Sequence, residues 1–234
     1  MPIFVLMLSF TEENYLKSLF QLTVETALKE EAGTNELAAH LGVKPATAND
    51  MLKKLKEKKL IKYEKYGKSS LTKEGKKIAI DVIRKHRLWE TFLFEKLEFS
   101  WDEVHEVAEQ LEHIQSKKLI DKLDKLLNYP VSDPHGDPIP NAKGEMMILH
   151  QQTLAEESVG HQCKMTGVKD NSSAFLKYVD QLGLAINKTI KVLARHEYDD
   201  LIEIEVNGKR ISVSPKFAEN IFIFCTACKK KTNR

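Results

Sequence analysis

The first third of the chain alternates apolar and polar positions with the period of amphipathic helices. Ser9 and Glu12 form a capping-box pattern, which predicts that the first helix begins there. The apolar positions that follow share one helical face: Tyr15, Leu16, Leu19 and Phe20. A shorter helix is predicted from Thr34, as its cap, to Gly42, where glycine favours a helix end.

A third helix is predicted to begin at Pro45, because proline is tolerated in a first helical turn. Its apolar residues form one stripe and leave the lysines outward: Met51, Leu52, Leu55 and Leu60. Two β-prone runs around Gly67 predict a hairpin, after which a helix resumes from Thr72. Helix, short helix, turn, basic helix and hairpin is the order of a winged helix-turn-helix.

The remaining sequence divides into a helical part and a β-rich part. An acidic helix is predicted from Trp101 to His113 and an amphipathic helix from Ser116 to Leu127. The proline-dense stretch "NYPVSDPHGDPIP" then ends the helical part. The segments "TIKVLA", "LIEIEV" and "RISVS" are β-prone, and Asn207-Gly208 is a strong hairpin-turn signal, so a small β domain is expected to follow.

Charge is distributed unevenly along the chain. Residues 44–87 carry 15 Lys/Arg and 5 Asp/Glu, whereas the formal net charge of all 234 residues is only +2. This basic block coincides with the third helix and the hairpin, the two elements that would touch a DNA duplex. A polyanionic partner, DNA, is therefore predicted, and a helical bundle with a lysine-rich surface is the alternative.

The composition and the cysteines narrow the class of protein. With 42% hydrophobic residues the chain is globular, no apolar run is long enough for a membrane helix, and "MPIFVLML" lacks the features of a signal peptide. Cys163, Cys225 and Cys228 give no disulfide framework, so a cytoplasmic location is expected. Because one Cys-x-x-Cys pair supplies two thiolates and closed zinc sites need four, residues 225–234 are predicted to be an exposed tail.

One stretch concentrates acidic and imidazole side chains. Residues 98–113 contain six acidic residues and no Lys or Arg. On a helix, four of the side chains in this stretch would lie within an arc of about 100°: His105, Glu109, Glu112 and His113. Upstream, His86 and Glu90 would share another helical face. Two antiparallel helices with these residues would form a pocket suited to Mn²⁺, Fe²⁺, Co²⁺ or Zn²⁺, and spacing alone favours a solvated acidic face equally.

Six segments together resemble the diphtheria toxin repressor family of iron- or manganese-dependent transcriptional repressors, and the resemblance covers nearly the whole chain. These segments are "TEENYLKSLFQL", "LAAHLGVKPATANDMLKKL", "LTKEGKK", "RKHRLWETFL", "VHEVAEQLEH" and "GDPIP". The resemblance implies a cytoplasmic homodimer that binds a palindromic operator and controls metal-uptake genes, with no membrane and no small-molecule substrate as partner.

The resemblance also implies an α+β architecture. The implied parts are a winged helix-turn-helix DNA-binding domain (1–73), a helical metal-binding and dimerisation domain (74–142), a linker (143–158), a small SH3-like β-barrel (159–224) and the tail (225–234). Because SH3-like surfaces accept proline-rich segments, the proline-dense loop is expected by analogy to dock on the β domain.

Two metal sites follow from the resemblance. The primary site would consist of Asn14, Glu109, Glu112 and His113, and the ancillary site of His86, Glu90 and His105. In the third domain Asp170 is a further candidate ligand, with capping of a turn as the alternative.

The choice of metal depends on three positions. Glu109 favours manganese, because iron-responsive members usually carry a cysteine there and carboxylate oxygen suits the harder ion. Asn14 departs from the methionine of iron-responsive members and from the aspartate of manganese-responsive ones. Lys17 stands where short manganese-responsive members carry another glutamate. Mn²⁺ is therefore the first candidate and Fe²⁺ the second.

The early part of the third helix is predicted to face the DNA bases with Lys44, Ala46, Thr47, Asn49 and Asp50. Ala46 and the Thr47 methyl group would touch thymine methyl groups, and Asn49 would bind an adenine edge. Local backbone bonding at a helix start is the alternative for Thr47 and Asn49. On the hairpin, four residues are predicted to contact phosphates: Lys65, Tyr66, Lys68 and Ser69.

Two other classes of function remain open. A His/Glu metalloenzyme is disfavoured, because the acidic helix has no Glu-x-x-His pair with Glu109 or Glu112 and the chain has no P-loop, nucleophile elbow or zincin motif. No enzymatic activity is therefore expected. A metal-independent winged-helix regulator is the second alternative.

Overall fold

The computed structural model describes residues 8–25, 29–64, 67–146 and 152–225. These residues form two compact units. The first unit draws on Met1–His86, Glu109–Lys122 and Pro140–Met146, and the second on Arg87–Ala108, Leu123–Ile139 and Met147–Arg234. Among the described helices, none combines the length and the apolar character that crossing a membrane requires.

The first helix begins where the capping-box pattern predicts. α1 comprises Phe10–Phe20, with Ser9 as its N-cap. The Glu12 amide donates to Ser9 Oγ at 3.3 Å, and the Ser9 amide donates to Glu12 Oε2 at 2.9 Å. Two backbone donors that lack a helical partner are thereby satisfied, and a π-helical turn, Gln21–Glu25, follows the helix.

The predicted winged helix-turn-helix is confirmed. After the short strand β1 (Ala32–Gly33) come α2 (Thr34–His40), α3 (Pro45–Glu57), β2 (Ile61–Tyr63) and β3 (Lys68–Leu71). Gly33 rather than Thr34 is the N-cap of α2, and Pro45 opens α3 as predicted. The three strands form an antiparallel sheet in the order β1-β3-β2. Beneath it lies a core that includes Leu16, Phe20 and Leu52.

Three further helices are α4 (Lys73–Leu97), α5 (Val104–Leu111) and α6 (Lys117–Leu126). α5 is shorter than the acidic helix predicted from Trp101 to His113. The residues before Val104 form a turn, and Glu112 and His113 follow the end of the helix. These two side chains are therefore placed by the turn after α5 and not by a helical face.

The second unit contains a six-stranded antiparallel sheet, as expected for a small β domain. Its strands are β4 (Gln152–Thr153), β5 (Gln162–Val168), β6 (Thr189–Arg195), β7 (Ile202–Val206), β8 (Lys209–Val213) and β9 (Ile221–Cys225). Their order is β4-β9-β5-β6-β7-β8. A 3₁₀ turn (Leu154–Glu156) follows β4, and α7 (Ser173–Gln181) and α8 (Pro215–Ala218) lie in the connections. The buried faces of the strands form one apolar core.

Two predicted boundaries differ from the structure. β4 pairs with β9 through Gln152 and Ile223, so the end of the predicted linker is part of the sheet. Cys225 is the last residue of β9 and is buried, because it pairs directly with Cys163 on β5. The predicted exposed tail therefore does not include Cys225, and Cys228 lies outside the described residues.

The proline-dense loop docks on the sheet of the second unit, as the analogy with SH3-like surfaces suggested. The Val168 amide donates to the His135 carbonyl at 3.0 Å. Gly136 has a φ of +91°, and a Cβ there would lie 2.1 Å from the Thr166 carbonyl oxygen. Only glycine allows this approach, and the docking fixes the neighbouring side chains of Asp133 and His135.

Candidate metal centre and nucleic-acid interface

The first candidate centre is built on the inner side of α1. Lys17 follows Glu13 by four residues and Asn14 by three. At these spacings in a helix, side chains are neighbours, so Glu13 and Asn14 both lie beside Lys17. Glu13 and Lys17 are buried, as are Glu112 and His113 after α5. Charged side chains are seldom buried unless they are paired, so each of these groups needs a partner.

Glu112 is the charged centre of this cluster, with a side chain that has 0% exposure. Lys17 Nζ donates to both carboxylate oxygens at 2.8 Å, and Lys17 Nζ also lies 3.2 Å from Glu109 Oε1. His86 Nδ1 lies 2.6 Å from Glu112 Oε2. In this arrangement the single Lys17 ammonium pairs with two of the predicted primary ligands, Glu109 and Glu112.

Asn14 and His113 complete the cluster. With its amide oriented so that Nδ2 donates, Asn14 lies 3.2 Å from Glu112 Oε1 and 3.1 Å from His113 Nε2. His113 Nδ1 lies 2.6 Å from Glu13 Oε2, and the Phe10 ring stacks on the imidazole at a centroid distance of 4.4 Å. The Glu13 carboxylate thus holds the Nδ1 side of the ring, and Nε2 faces Asn14 at 3.1 Å and Glu112 at 3.7 Å.

The electrostatics keep Glu112 ionised. Burial alone would raise the pKa of Glu112, but the hydrogen bond from His86 and the charge of Lys17 outweigh burial and lower it. The cluster therefore retains a deeply buried carboxylate anion beside the imidazole of His113. This is a donor set that attracts divalent cations.

The donor chemistry fits a divalent metal ion. The four predicted primary ligands supply an amide, two carboxylates and one imidazole: Asn14, Glu109, Glu112 and His113. A metal-binding histidine usually donates its other ring nitrogen to a carboxylate, as His113 does to Glu13. The sequence did not single out Glu13, and the chain offers no local signal for it because its partner is 100 residues away.

The second unit places another group of ionisable residues around Glu90. Glu90 Oε1 lies 3.1 Å from His105 Nδ1 and 3.8 Å from His135 Nδ1. His135 Nε2 lies 2.7 Å from the Trp101 carbonyl oxygen, which fixes the ring. Glu90 and His105 were predicted as ancillary ligands, whereas Asp133 and His135 were missed.

Asp133 lies in the same part of the second unit and is buried. Burial first, and then the negative charges of Asp137 and Glu90, raise the pKa of Asp133 well above its ordinary value, against the opposing charge of Arg87. Asp133 Oδ1 accepts the His135 and Asp137 amides at 2.8 and 3.0 Å, so this carboxyl group shapes the loop.

Asp170 caps a turn. Its Oδ1 accepts the Ser172 amide at 2.9 Å, and Ser172 is in turn the N-cap of α7. This is the alternative that the sequence left open for Asp170.

On the nucleic-acid interface, the start of α3 is exposed in part. Lys44, Ala46, Thr47 and Asp50 are exposed, and Asp50 accepts a hydrogen bond from Lys53 at 2.9 Å. That hydrogen bond lowers the pKa of Asp50. These four side chains remain candidates for contact with DNA.

Two residues predicted to contact DNA have buried side chains. Asn49 faces the inside of α3 with Ala48 and Leu52, and its Oδ1 accepts a hydrogen bond from the Tyr63 hydroxyl at 2.5 Å. Ser69 is buried and donates to the Ala32 carbonyl at 3.1 Å, which ties β3 to β1.

Both side chains hydrogen-bond within the fold. On the rest of the wing, Lys68 is exposed, and Lys65 and Tyr66 lie outside the described residues.

Three sequence profiles match the chain. The profile "Iron dependent repressor, N-terminal DNA binding domain" matches residues 7–68. The profile "Iron dependent repressor, metal binding and dimerisation domain" matches residues 72–141, and the "FeoA domain" profile matches residues 152–224.

Individual relatives agree with the profiles. The chain is 32% identical over 130 residues to the iron-dependent repressor IdeR of Mycobacterium tuberculosis, and the match covers 56% of this chain and 55% of IdeR. The chain thus spans about half the length of the first curated relatives it matches. It is also 32% identical over 117 residues to the HTH-type transcriptional regulator MntR of Oceanobacillus iheyensis, covering 50% of this chain and 77% of MntR.

A solved structure resembles nearly the whole molecule. It is a manganese-dependent transcriptional repressor in complex with manganese, with a TM-score of 0.80 and 31% sequence identity. The match covers 92% of this chain and 99% of that chain. The order of elements, the three profiles and these relatives together show that the chain belongs to the diphtheria toxin repressor family.

Proposed function

We propose that the protein is a metal-dependent transcriptional repressor that senses Mn²⁺. The observation that carries this proposal is the convergence of Asn14, Glu112 and His113. Asn14 Nδ2 lies 3.2 Å from Glu112 Oε1 and 3.1 Å from His113 Nε2, and these two atoms lie 3.7 Å apart. These residues come from α1 and from the turn after α5, so they join the helix that leads into the DNA-binding motif to a distant part of the first unit.

The roles of the residues follow from their contacts. Asn14, Glu109, Glu112 and His113 would hold the metal ion, and Glu13 holds the His113 ring with Nε2 presented to the site. A bound dication would supply positive charge to Glu109 and Glu112, which Lys17 supplies in this structure. A metal ion that fixes Asn14 relative to Glu112 would favour one orientation of α1. A metal switch requires such a difference in metal binding between two states.

The ligand chemistry favours Mn²⁺, with Fe²⁺ as the second candidate. Three of the four proposed primary ligands offer oxygen, and no sulfur is among them, which suits a hard ion. The solved structure described above was determined with manganese, and its chain is covered almost completely by the match. The curated relative IdeR is named as iron-dependent, which keeps Fe²⁺ in the comparison.

Glu90 and His105 remain proposed ancillary ligands in the second unit, where their side chains lie 3.1 Å apart. His86 acts within the first unit through its 2.6 Å contact with Glu112. This contact makes His86 a support for the primary site as well as a predicted ligand. Asp170 is not retained, because its carboxylate caps a turn.

The DNA contacts that we propose are those of exposed residues at the start of α3 and on the wing. Lys44 and Lys68 would contact phosphates, and Ala46 and Thr47 would contact base edges, with Asp50 beside them. We also propose a homodimer on a palindromic operator, acting in the cytoplasm on metal-uptake genes. Exposed Phe94 and Leu97 on α4, and Leu126 on α6, are apolar positions that such a dimer would cover. No enzymatic activity is proposed.

A metal-independent winged-helix regulator is the second candidate, and one observation favours it. Lys17 and His86 already satisfy Glu112 without a metal ion, at 2.8 and 2.6 Å. In that case the cluster would be a structural ion-pair network that holds α1 in place.

The two candidates differ in how DNA binding responds to a chelator. A pool of random duplex DNA is selected with the manganese-loaded protein, and binding to the selected sequence is measured with chelator and with Mn²⁺ restored. We expect binding to disappear and return for the natural protein, and Glu112→Ala to lose the response to Mn²⁺. Binding that ignores the chelator would contradict the metal switch and favour the second candidate. Thr47→Ala serves as the control that weakens DNA binding without changing the affinity for Mn²⁺.

A further inference from the structure

A second kind of ligand cluster lies in the second unit, at the end of β9. One ligand atom each from Glu157, His161 and Cys225 lies within 4.8 Å of the others. The three residues are a carboxylate, an imidazole and a thiol. None of them belongs to the sites proposed above, and this cluster differs from the primary site by containing sulfur.

The backbone holds Glu157 firmly in this cluster. Glu157 follows the 3₁₀ turn Leu154–Glu156, and its side chain has 0% exposure. Arg195 Nη2 donates to the carbonyl oxygens of Ala155 and Glu157 at 2.6 and 2.8 Å. These bonds clamp the turn onto β6, so Glu157 is placed before any ligand arrives.

His161 is placed by the next part of the chain. Gly160, with a φ of +84°, turns the backbone in a conformation that favours glycine. The Gly160 amide donates to the Val192 carbonyl at 2.8 Å, and the Val192 amide donates to the His161 carbonyl at 3.0 Å. His161 Nδ1 lies 2.8 Å from Glu157 Oε1, and 38% of the side chain is exposed. The ring therefore connects a buried carboxylate with solvent and offers an entry path for an ion.

Cys225 is the third member and is held by the sheet. It pairs in register with Cys163 on β5, both are free thiols, and both are buried. Cys225 Sγ lies 3.6 Å from the Gln162 carbonyl oxygen, whereas Cys163 Sγ lies 3.6 Å from the Ile190 carbonyl oxygen. The two thiols thus have different hydrogen-bond partners, and of the two only Cys225 belongs to the cluster with Glu157 and His161.

We propose that Cys225, His161 and Glu157 form a binding site for a borderline dication, Zn²⁺ in the first place. Thiolate, imidazole and carboxylate are the three side-chain ligands that Zn²⁺ takes in proteins. Three protein ligands with access to solvent at His161 leave a fourth position for water. Binding through the thiolate releases the thiol proton of Cys225, and the imidazole binds through one ring nitrogen while its proton stays on the other.

Such an ion would join three separate parts of the second unit. Glu157 lies before β5, His161 leads into β5, and Cys225 ends β9. The ion would therefore fasten the last described strand to the segment between the 3₁₀ turn and β5. This fastening would oppose local opening of the end of β9.

Cobalt titration of the full chain tests the proposal, because a thiolate ligand produces a near-ultraviolet charge-transfer band that oxygen and nitrogen ligands do not. We expect one equivalent of Co²⁺ to produce this band, and Zn²⁺ but not Mn²⁺ to abolish it. Cys225→Ser should lose the band, whereas the matched control Cys228→Ser should keep it. A band that persists in Cys225→Ser, or that disappears in Cys228→Ser, would overturn the assignment, as would no band in the natural chain.

A second variant keeps the test decisive if Cys225→Ser does not fold. His161→Gln changes a side chain that is partly exposed, so the fold should persist, and the affinity for Co²⁺ should fall at least about tenfold. Unchanged affinity in His161→Gln would overturn the proposal. Glu112→Ala should leave the band intact, because the primary site has no sulfur ligand. The outcome is therefore separate from the success or failure of the proposed repressor function.

Discussion

Replacing Lys17 by methionine would test the idea that a lysine ammonium occupies the primary cluster in the metal-free protein. The side chain of Lys17 is 7% exposed, and its ammonium donates to both oxygens of Glu112 at 2.8 Å. Methionine keeps the length of the side chain and removes the charge. Glu112 would then keep its contacts with His86 at 2.6 Å and with the Asn14 amide at 3.2 Å, and neither replaces the charge of Lys17.

Two opposite effects follow from this change. Removing one partner of a buried ion pair costs about 3–5 kcal/mol, and His86 keeps the loss near the lower end of this range. The free energy of unfolding of the metal-free protein should therefore fall by about 3 kcal/mol. The affinity for Mn²⁺ should rise, because a charge-assisted hydrogen bond worth about 1.5–3 kcal/mol no longer competes with the metal. This energy corresponds to roughly 10- to 150-fold tighter binding.

Urea denaturation of the chelated protein measures the first effect, and calorimetric titration with Mn²⁺ measures the second. Lys117→Met is the matched control, because Lys117 pairs with Asp121 at 2.8 Å but is 82% exposed. An exposed pair of this kind contributes at most about 0.5 kcal/mol on a helix, so neither quantity should change much. If Lys17→Met binds Mn²⁺ with unchanged or weaker affinity, then Lys17 does not compete with the metal and the reasoning is wrong.

Two more predictions concern the winged helix-turn-helix and the helix before it. Asn49→Ala should lower the free energy of unfolding by about 1–3 kcal/mol in urea denaturation, because the Tyr63 hydroxyl loses Asn49 as a buried acceptor. The control Thr47→Ala should change the free energy of unfolding by no more than about 0.5 kcal/mol and should weaken DNA binding. An Asn49→Ala protein of unchanged stability would contradict its structural role. Burial opposes the charged form of Glu12, but Lys58 and the Ser9 cap outweigh burial and lower the pKa of Glu12. Ionised Glu12 therefore adds to the free energy of unfolding above its ordinary pKa of 4.5. This stabilisation is lost as the pH falls through the lower pKa of the folded state. Acid titration of stability should show a smaller loss for Glu12→Gln than for the natural protein, and equal losses would refute the assignment.

Local signals in the sequence predicted much of the fold. The capping box at Ser9, the proline that opens α3 at Pro45 and the Asn207-Gly208 turn each depend on residues within a few positions of one another. The strands β5 and β9 were not predicted. Their stability comes from pairing with each other across about sixty residues of sequence, and no local pattern reports such a partner.

The candidate site likewise combines residues that sequence patterns indicated with residues that depend on distant partners. Helical spacing and family resemblance indicated Glu112 and His113, but not the charges that surround them. Lys17 and Glu13 meet these residues across 95 and 100 positions of sequence. The burial of Asn49 likewise depends on Tyr63, which belongs to the hairpin and not to α3. Tertiary contacts therefore determine which polar residues face inward, and spacing within one element does not predict them.

The thiolate cluster bears on the metal choice of the proposed primary site. At a given set of nitrogen and oxygen ligands, Zn²⁺ binds more tightly than Mn²⁺, so a manganese sensor is open to occupation by zinc. The ligand set that includes Cys225 is softer than the set that includes Glu112, and it would take the first equivalent of zinc. In the natural chain one equivalent of Zn²⁺ should therefore leave Mn²⁺ binding unchanged, whereas in Cys225→Ser the same equivalent should reduce it. Calorimetric titration with Mn²⁺ after addition of one equivalent of Zn²⁺ measures this difference. Equal losses in the two proteins would mean that the thiolate cluster does not protect the oxygen-rich site.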